Sequence, residues 1–172
     1  LNKESVMIFP TGYTANLGVL ASICNEEDAV IIDDECHASI RDGIRISSRR
    51  NWVQFRHNSV EDLHEKLSQA MKTTKGKLFV VVESAYSMSG DICPLKEIIK
   101  LKEKFNFKLF VDEAHSFGIY GEGGKGLCHE EGIIDSVDFL TSTFSKATAS
   151  IGGFVATSKK YASYLQWGAN TY

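Results

Sequence analysis

Five short, mainly apolar runs rich in branched and aromatic residues recur along the chain, at 29–32, 78–82, 108–111, 137–140 and 153–156. Runs this short and this continuous predict strands buried on both faces, as in a mostly parallel sheet covered by helices. Between them the apolar period changes. Residues 15–23 are apolar and follow a Gly-Tyr-Thr turn, and Val60, Leu63, Leu67, Ala70 and Met71 recur at helical spacing. Ser59 is placed to cap that second helix, with Glu61 and Asp62 at its positive end. Leu95, Ile98, Ile99, Lys102 and Phe105 repeat the pattern behind Pro94, a residue suited to a first helical turn. Alternating strands and helices predict right-handed crossovers and an α/β fold, a mostly parallel sheet flanked by helices. No repeat, low-complexity tract or Pro/Ser-rich linker interrupts the pattern, so residues 1–172 are expected to form one domain.

Composition narrows the functional classes. The chain has 172 residues, 43% hydrophobic and 24% charged, which suits one globular domain with a substantial core. Net charge is −3 and the longest basic run is short, Arg49-Arg50 being read as a solvated helix end, so no nucleic-acid partner is expected. No apolar stretch approaches the length of a membrane span, and no signal peptide opens the chain. Cys24, Cys36, Cys93 and Cys128 are widely spaced with no CxxC pair, which predicts reduced thiols, a cytoplasmic location and no metal site. The chain begins with Leu and stops without a helix-ending signal, the expectation being a piece of a longer protein.

The chemistry concentrates just after the strands. In open α/β sheets ligands sit beyond the carboxyl ends of the strands. Asp112, Glu113 and His115 follow the run at 108–111, and Thr143, Ser145 and Lys146 follow the run at 137–140. A partly desolvated lysine there can form a Schiff base, and a carboxylate can keep a pyridinium nitrogen protonated. The set therefore suits pyridoxal phosphate (PLP), with Asp112 facing the ring nitrogen, His115 near the phenolic oxygen and Glu113 serving as no more than a helix cap. Gly12 and Tyr13 lie where a turn enters a helix, a natural phosphate site from which Gly12 removes the obstructing side chain. His37 could stack on a flat cofactor, and Glu83, Ser84, Tyr86, Ser87 and Met88 would line the same crevice. The glycine cluster from Gly121 to Gly126 lacks the Ser or Thr of a P-loop and reads as a flexible surface loop.

Taken together, Thr11-Gly12-Tyr13-Thr14-Ala15-Asn16-Leu17-Gly18, His37-Ala38-Ser39-Ile40, Arg56-His57-Asn58-Ser59, Asp112-Glu113-Ala114-His115-Ser116 and Thr143-Phe144-Ser145-Lys146 stand in the order and spacing of a known family. The chain resembles the α-oxoamine synthases, PLP enzymes of aminotransferase fold type I, over almost its whole length. The segments around Phe55 to Leu63 and Thr143 to Lys146, with Gly152-Gly153-Phe154-Val155, look most like the bacterial serine palmitoyltransferase branch, and so imply sphingolipid biosynthesis.

The resemblance implies catalytic roles for Lys146, as Schiff-base lysine and α-proton base, and for Asp112, His115 and the ring-stacking His37. It implies cofactor contacts from Gly12, Tyr13, Ser84, Thr143 and Ser145 as well. The implied reaction condenses an amino acid, serine being favoured, with an acyl-CoA thioester, releasing CO₂ and CoA. Glycine or alanine, an acyl-carrier-protein donor, or a non-catalytic subunit are the alternatives. A homodimer with a shared active site is implied too. Two departures stand out. Ala147-Thr148-Ala149-Ser150 replaces a stretch that usually contains a glycine, and the family's N-terminal arm and C-terminal small domain are missing from the chain.

Overall fold

In the computed structural model, which describes residues 1–47 and 52–172, the first three apolar runs become neighbouring parallel strands. These are β2 (Ala29–Asp33), β4 (Leu78–Glu83) and β5 (Lys108–Asp112). Every residue of β2 and β4 is buried, as the unbroken apolar pattern requires. Each Val or Ile so buried stabilises the fold by roughly 1.5–3 kcal/mol. The Arg49-Arg50 pair lies outside the described residues.

The fourth run starts later than its pattern indicates. β6 is Phe139–Thr143, and its last three residues, Thr141, Ser142 and Thr143, are polar yet buried. β7 (Gly153–Thr157) pairs antiparallel with β6 rather than parallel. Only nine residues separate the two strands, too few for the helical crossover that a parallel return needs. Two edge strands complete the sheet, β1 (Ser5–Phe9) and β3 (Trp52–Phe55), giving the order β1-β7-β6-β5-β4-β2-β3. β1 alternates: Met7 and Phe9 enter the core, while Val6 and Ile8 are exposed.

Helices cover the sheet. α1 (Gly12–Ile23) begins three residues earlier than the apolar pattern suggests, because Thr11 caps it with a reciprocal Thr11–Thr14 pair of hydrogen bonds. α2 (Ala38–Ser47) packs closely on α1, where a side chain at Gly43 would come within 3.0 Å of the Leu17 backbone. α3 (Val60–Thr73) is capped by Ser59, whose hydroxyl accepts the Asp62 N–H at 3.3 Å. α4 (Leu95–Phe105) starts just after Pro94, and a short α5 (Leu127–Glu130) and α6 (Lys159–Gly168) follow later in the chain. Among the described residues, no helix is long and apolar enough to cross a membrane. All four cysteines are buried and free.

Candidate active site

The carboxyl ends of β4, β5 and β6 and the start of α1 enclose a cavity of about 220 Å³. Its position follows from the strand order, since the chain leaves each parallel strand on the same side of the sheet. Gly12, Tyr13, His37, Asp112, His115, Thr143, Ser145 and Lys146 all reach its wall.

Asp112 forms the floor. It is 5% exposed, and its two oxygens accept Asn16 Nδ2 at 2.7 Å and the Ala114 N–H at 2.8 Å. His115 is half-buried, and its Nε2 lies 2.7 Å from Lys146 Nζ. Burial pushes the His115 imidazole below its ordinary pKa and the Lys146 charge pushes it further, so a neutral ring accepts from the ammonium. Lys146 itself is exposed. The desolvation expected of it is not found, because residues 145–151 run over the surface rather than into a covered helix.

The phosphate-type corner is built by close approach. The first-turn N–H groups of Gly12 and Tyr13 have no place in the helical ladder. Thr143 Oγ1 lies 2.9 Å from Ser145 Oγ and 3.0 Å from the Gly152 carbonyl. Gly12 is required here for a different reason than ligand access. A β-carbon on it would sit 2.8 Å from Thr143 Cβ, and one on Gly153 would sit 2.5 Å from the Gly12 nitrogen. Absence of side chains lets the helix start press against the ends of β6 and β7.

Three expectations are corrected by where the side chains lie. Ser84 does not reach the cavity. It is fully buried, with its hydroxyl 2.7 Å from Ser116 Oγ. Successive side chains at a strand end point to opposite faces, so it is Glu83 that lines the wall. Tyr86 is buried against His57 instead, and Ser87 and Met88 are exposed on the loop that follows. Glu113 is likewise more than a helix cap. It is fully buried, and its Oε1 accepts the Cys128 N–H at 2.7 Å.

That contact anchors the glycine loop, which is a hydrogen-bonded turn: Gly118 donates to the Gly124 carbonyl and Gly126 to that of Tyr120. Gly126 has φ +94° and stands where a β-carbon would be 2.0 Å from Glu113 Oε2. Gly126→Ala is therefore expected to destabilise the fold by about 1–3 kcal/mol or more, through strain and overpacking. Urea denaturation checks this; an unchanged midpoint contradicts it.

Sequence reasoning gave no role to two side chains that shape the cavity, Asn16 and Ser39, and gave Glu83 only a place along the crevice, which it lines. Glu83 is 3% exposed and its Oε1 accepts the His37 N–H at 2.5 Å. Burial, and then the charge of Asp112, raise its carboxyl to about 8, against the opposing pull of the His37 N–H and Lys146. Asn16 and Ser39, both buried, complete the wall between Asp112 and His37. The quoted motifs contained Asn16 and Ser39, but only their tertiary partners distinguish them from ordinary helix residues.

The donor set fits one chemical shape. Free N–H groups and two hydroxyls suit a phosphate, a buried carboxylate suits a protonated ring nitrogen, an imidazole suits a flat ring, and a primary amine suits a carbonyl carbon. Fold and cavity together define the large α/β domain of aminotransferase fold type I. The chain belongs to the aminotransferase class I and II family, whose model matches residues 1–172. Its relatives are α-oxoamine synthases.

It is 40% identical over 172 residues, all of this chain and 43% of the relative, to the serine palmitoyltransferase of Bacteroides thetaiotaomicron. It is 38% identical over 169 residues, 98% of this chain and 42% of the relative, to the 8-amino-7-oxononanoate synthase of Thermosipho melanesiensis. A solved serine palmitoyltransferase from S. paucimobilis with a bound PLP–myriocin aldimine superposes with a TM-score of 0.92 at 38% identity. That match covers 99% of this chain and 43% of the solved one. The chain thus spans about two fifths of the length of these relatives.

Proposed function

We propose that residues 1–172 are the PLP-binding large domain of an α-oxoamine synthase, a PLP-dependent acyltransferase that joins an amino acid to an acyl thioester with loss of CO₂. The observation that carries the reading is the convergence of Lys146, His115, Asp112 and His37 on one cavity with the free N–H groups of Gly12 and Tyr13. PLP supplies, when bound, a ring that accepts the electrons released at the amino acid's α-carbon.

This chain's residues do the rest. Gly12, Tyr13, Thr143 and Ser145 would hold the phosphate, and Asp112 would keep a proton on the ring nitrogen. His115 would hold the phenolic oxygen, and His37 would cover the ring face and keep water from it. Lys146 Nζ would hold the cofactor's carbonyl carbon and would move the proton at the amino acid's α-carbon.

Serine and a long-chain acyl-CoA are the favoured substrates, since serine palmitoyltransferases recur among the relatives. The 8-amino-7-oxononanoate synthases at similar identity keep other amino acids and donors in play. A cytoplasmic homodimer with the active site shared between subunits completes the proposal. The test is spectral. Purified full-length protein is expected to take up PLP with an absorbance band at the visible edge of the ultraviolet, and that band is expected to change on titration with serine more than with glycine or alanine. Protein that takes up no PLP refutes the enzyme reading; a response to alanine or glycine alone refutes serine.

A further inference from the structure

In the cavity wall lies a buried polar cluster that no step of the proposed reaction uses. Asn16 from α1, Ser39 from α2 and Thr141 from β6 are each at most 3% exposed, and they meet between Asp112 and His37. Asn16 Nδ2 lies 2.7 Å from Asp112 Oδ2 and 3.0 Å from Ser39 Oγ, while Asn16 Oδ1 accepts Thr141 Oγ1 at 2.7 Å. A carboxylate offers only lone pairs, so the amide nitrogen faces Asp112 and the amide oxygen faces Thr141. Both amide hydrogens are then engaged, one by Asp112 and one by Ser39.

Ser39 carries the chain of contacts on to His37. Its hydroxyl lies 2.8 Å from His37 Nδ1. On distance alone that bond runs in either direction. The Ser39 main-chain N–H decides it, because it too points at His37 Nδ1, at 3.2 Å, and a peptide N–H can only donate. Nδ1 therefore presents a lone pair, and the ring proton sits on Nε2. On the other side, Glu83 accepts the His37 main-chain N–H, which fixes the residue from a second direction.

We propose that Asn16 and Ser39 are positioning residues that hold His37 in its Nε2–H tautomer and tie its ring to the Asp112 carboxylate. The inference rests on the PLP reading of the cavity and deepens it. The imidazole that covers the cofactor has a single donor, on the side away from Ser39, and its orientation is coupled to the group beneath the ring nitrogen. A proton on Nδ1 would set two N–H groups against each other and break the link.

The experiment is long-range ¹H–¹⁵N correlation on the full-length protein labelled at histidine, recorded without PLP and then with it. The expected result is the Nε2–H pattern for His37 in both states. An Nδ1–H or averaged pattern in the cofactor-free protein overturns the proposal. An Nε2–H pattern in protein that fails to take up PLP supports the tautomer and sinks the functional reading alone. In Ser39→Ala the Nδ1 resonance is expected to move downfield, as a pyridine-type nitrogen does on losing a donor. PLP affinity is expected to weaken by about twofold to tenfold, the worth of one hydrogen bond. An unmoved Nδ1 resonance in that variant overturns the relay through the hydroxyl, and should the variant not fold, the wild-type spectrum still decides the tautomer.

Discussion

Lys146→Ala is expected to leave a folded protein that binds PLP only reversibly and loses activity by about 10²–10⁴-fold, the usual scale for removing a positioned proton-transfer group. The fold should tolerate it. The side chain is exposed and, among the described residues, its one side-chain hydrogen bond is to His115, so a change in stability beyond about 0.5 kcal/mol is not expected. His115 should respond in a defined direction. Part of its lowered pKa comes from the Lys146 charge, so the variant's imidazole should titrate higher than the wild type's, with burial still holding it below the ordinary value. Borohydride treatment followed by dialysis separates the cases: wild type keeps the cofactor and the variant loses it. Retention by the variant would mean that another amine carries the attachment.

Much of this was legible in the sequence because the machinery sits where strands end. The strands β2, β4 and β5, buried throughout except for Lys108, announce themselves as mainly apolar runs, and the chemistry-bearing residues follow them directly. Legibility failed where polarity and burial part company. Thr141, Ser142 and Thr143 extend β6 although all are hydroxyl residues; Asn16 receives Thr141 and the cavity receives Thr143, while Ser142 Oγ is buried with no hydrogen-bond partner among the described residues. β1 and β3 are edge strands that keep one side exposed, so neither carries a continuous apolar signal.

The candidate site divides the same way. Lys146, Asp112 and His37 could be named from local sequence. Asn16 could not be given a role, since its partner Asp112 is 96 residues away. Glu83 and Ser84 were both expected along the crevice, and only Glu83 lines it, because successive side chains at the end of β4 face opposite ways. Glu113 looked like a cap because acids after strands often are; its full burial under Gly126 is visible only in three dimensions.

Glu83→Gln is expected to stabilise the cofactor-free protein at alkaline pH, and the sign follows from the raised carboxyl. With its folded value near 8 and its ordinary value at 4.5, the native state holds a proton that the unfolded state releases. Wild type therefore keeps the full benefit of that proton below about pH 4.5 and loses it progressively as pH rises towards 8. Glutamine never carries the charge and can still accept the His37 N–H. The two proteins should match near pH 4.5, and the variant should pull ahead up to pH 8, by at most a few kcal/mol at about 1.4 kcal/mol per pKa unit.

The cause lies in the register of the sheet. Glu83 and Asp112 are paired residues on adjacent strands, so two carboxyls face one buried cavity and both cannot be ionised cheaply. Asp112 accepts two N–H bonds, whereas burial and the neighbouring Asp112 favour the protonated form of Glu83. One carboxylate is then left to meet a single cationic ring nitrogen. Denaturant midpoints across pH 5–8.5 test the argument, and parallel curves for the two proteins would show that Glu83 is ionised beside Asp112 after all.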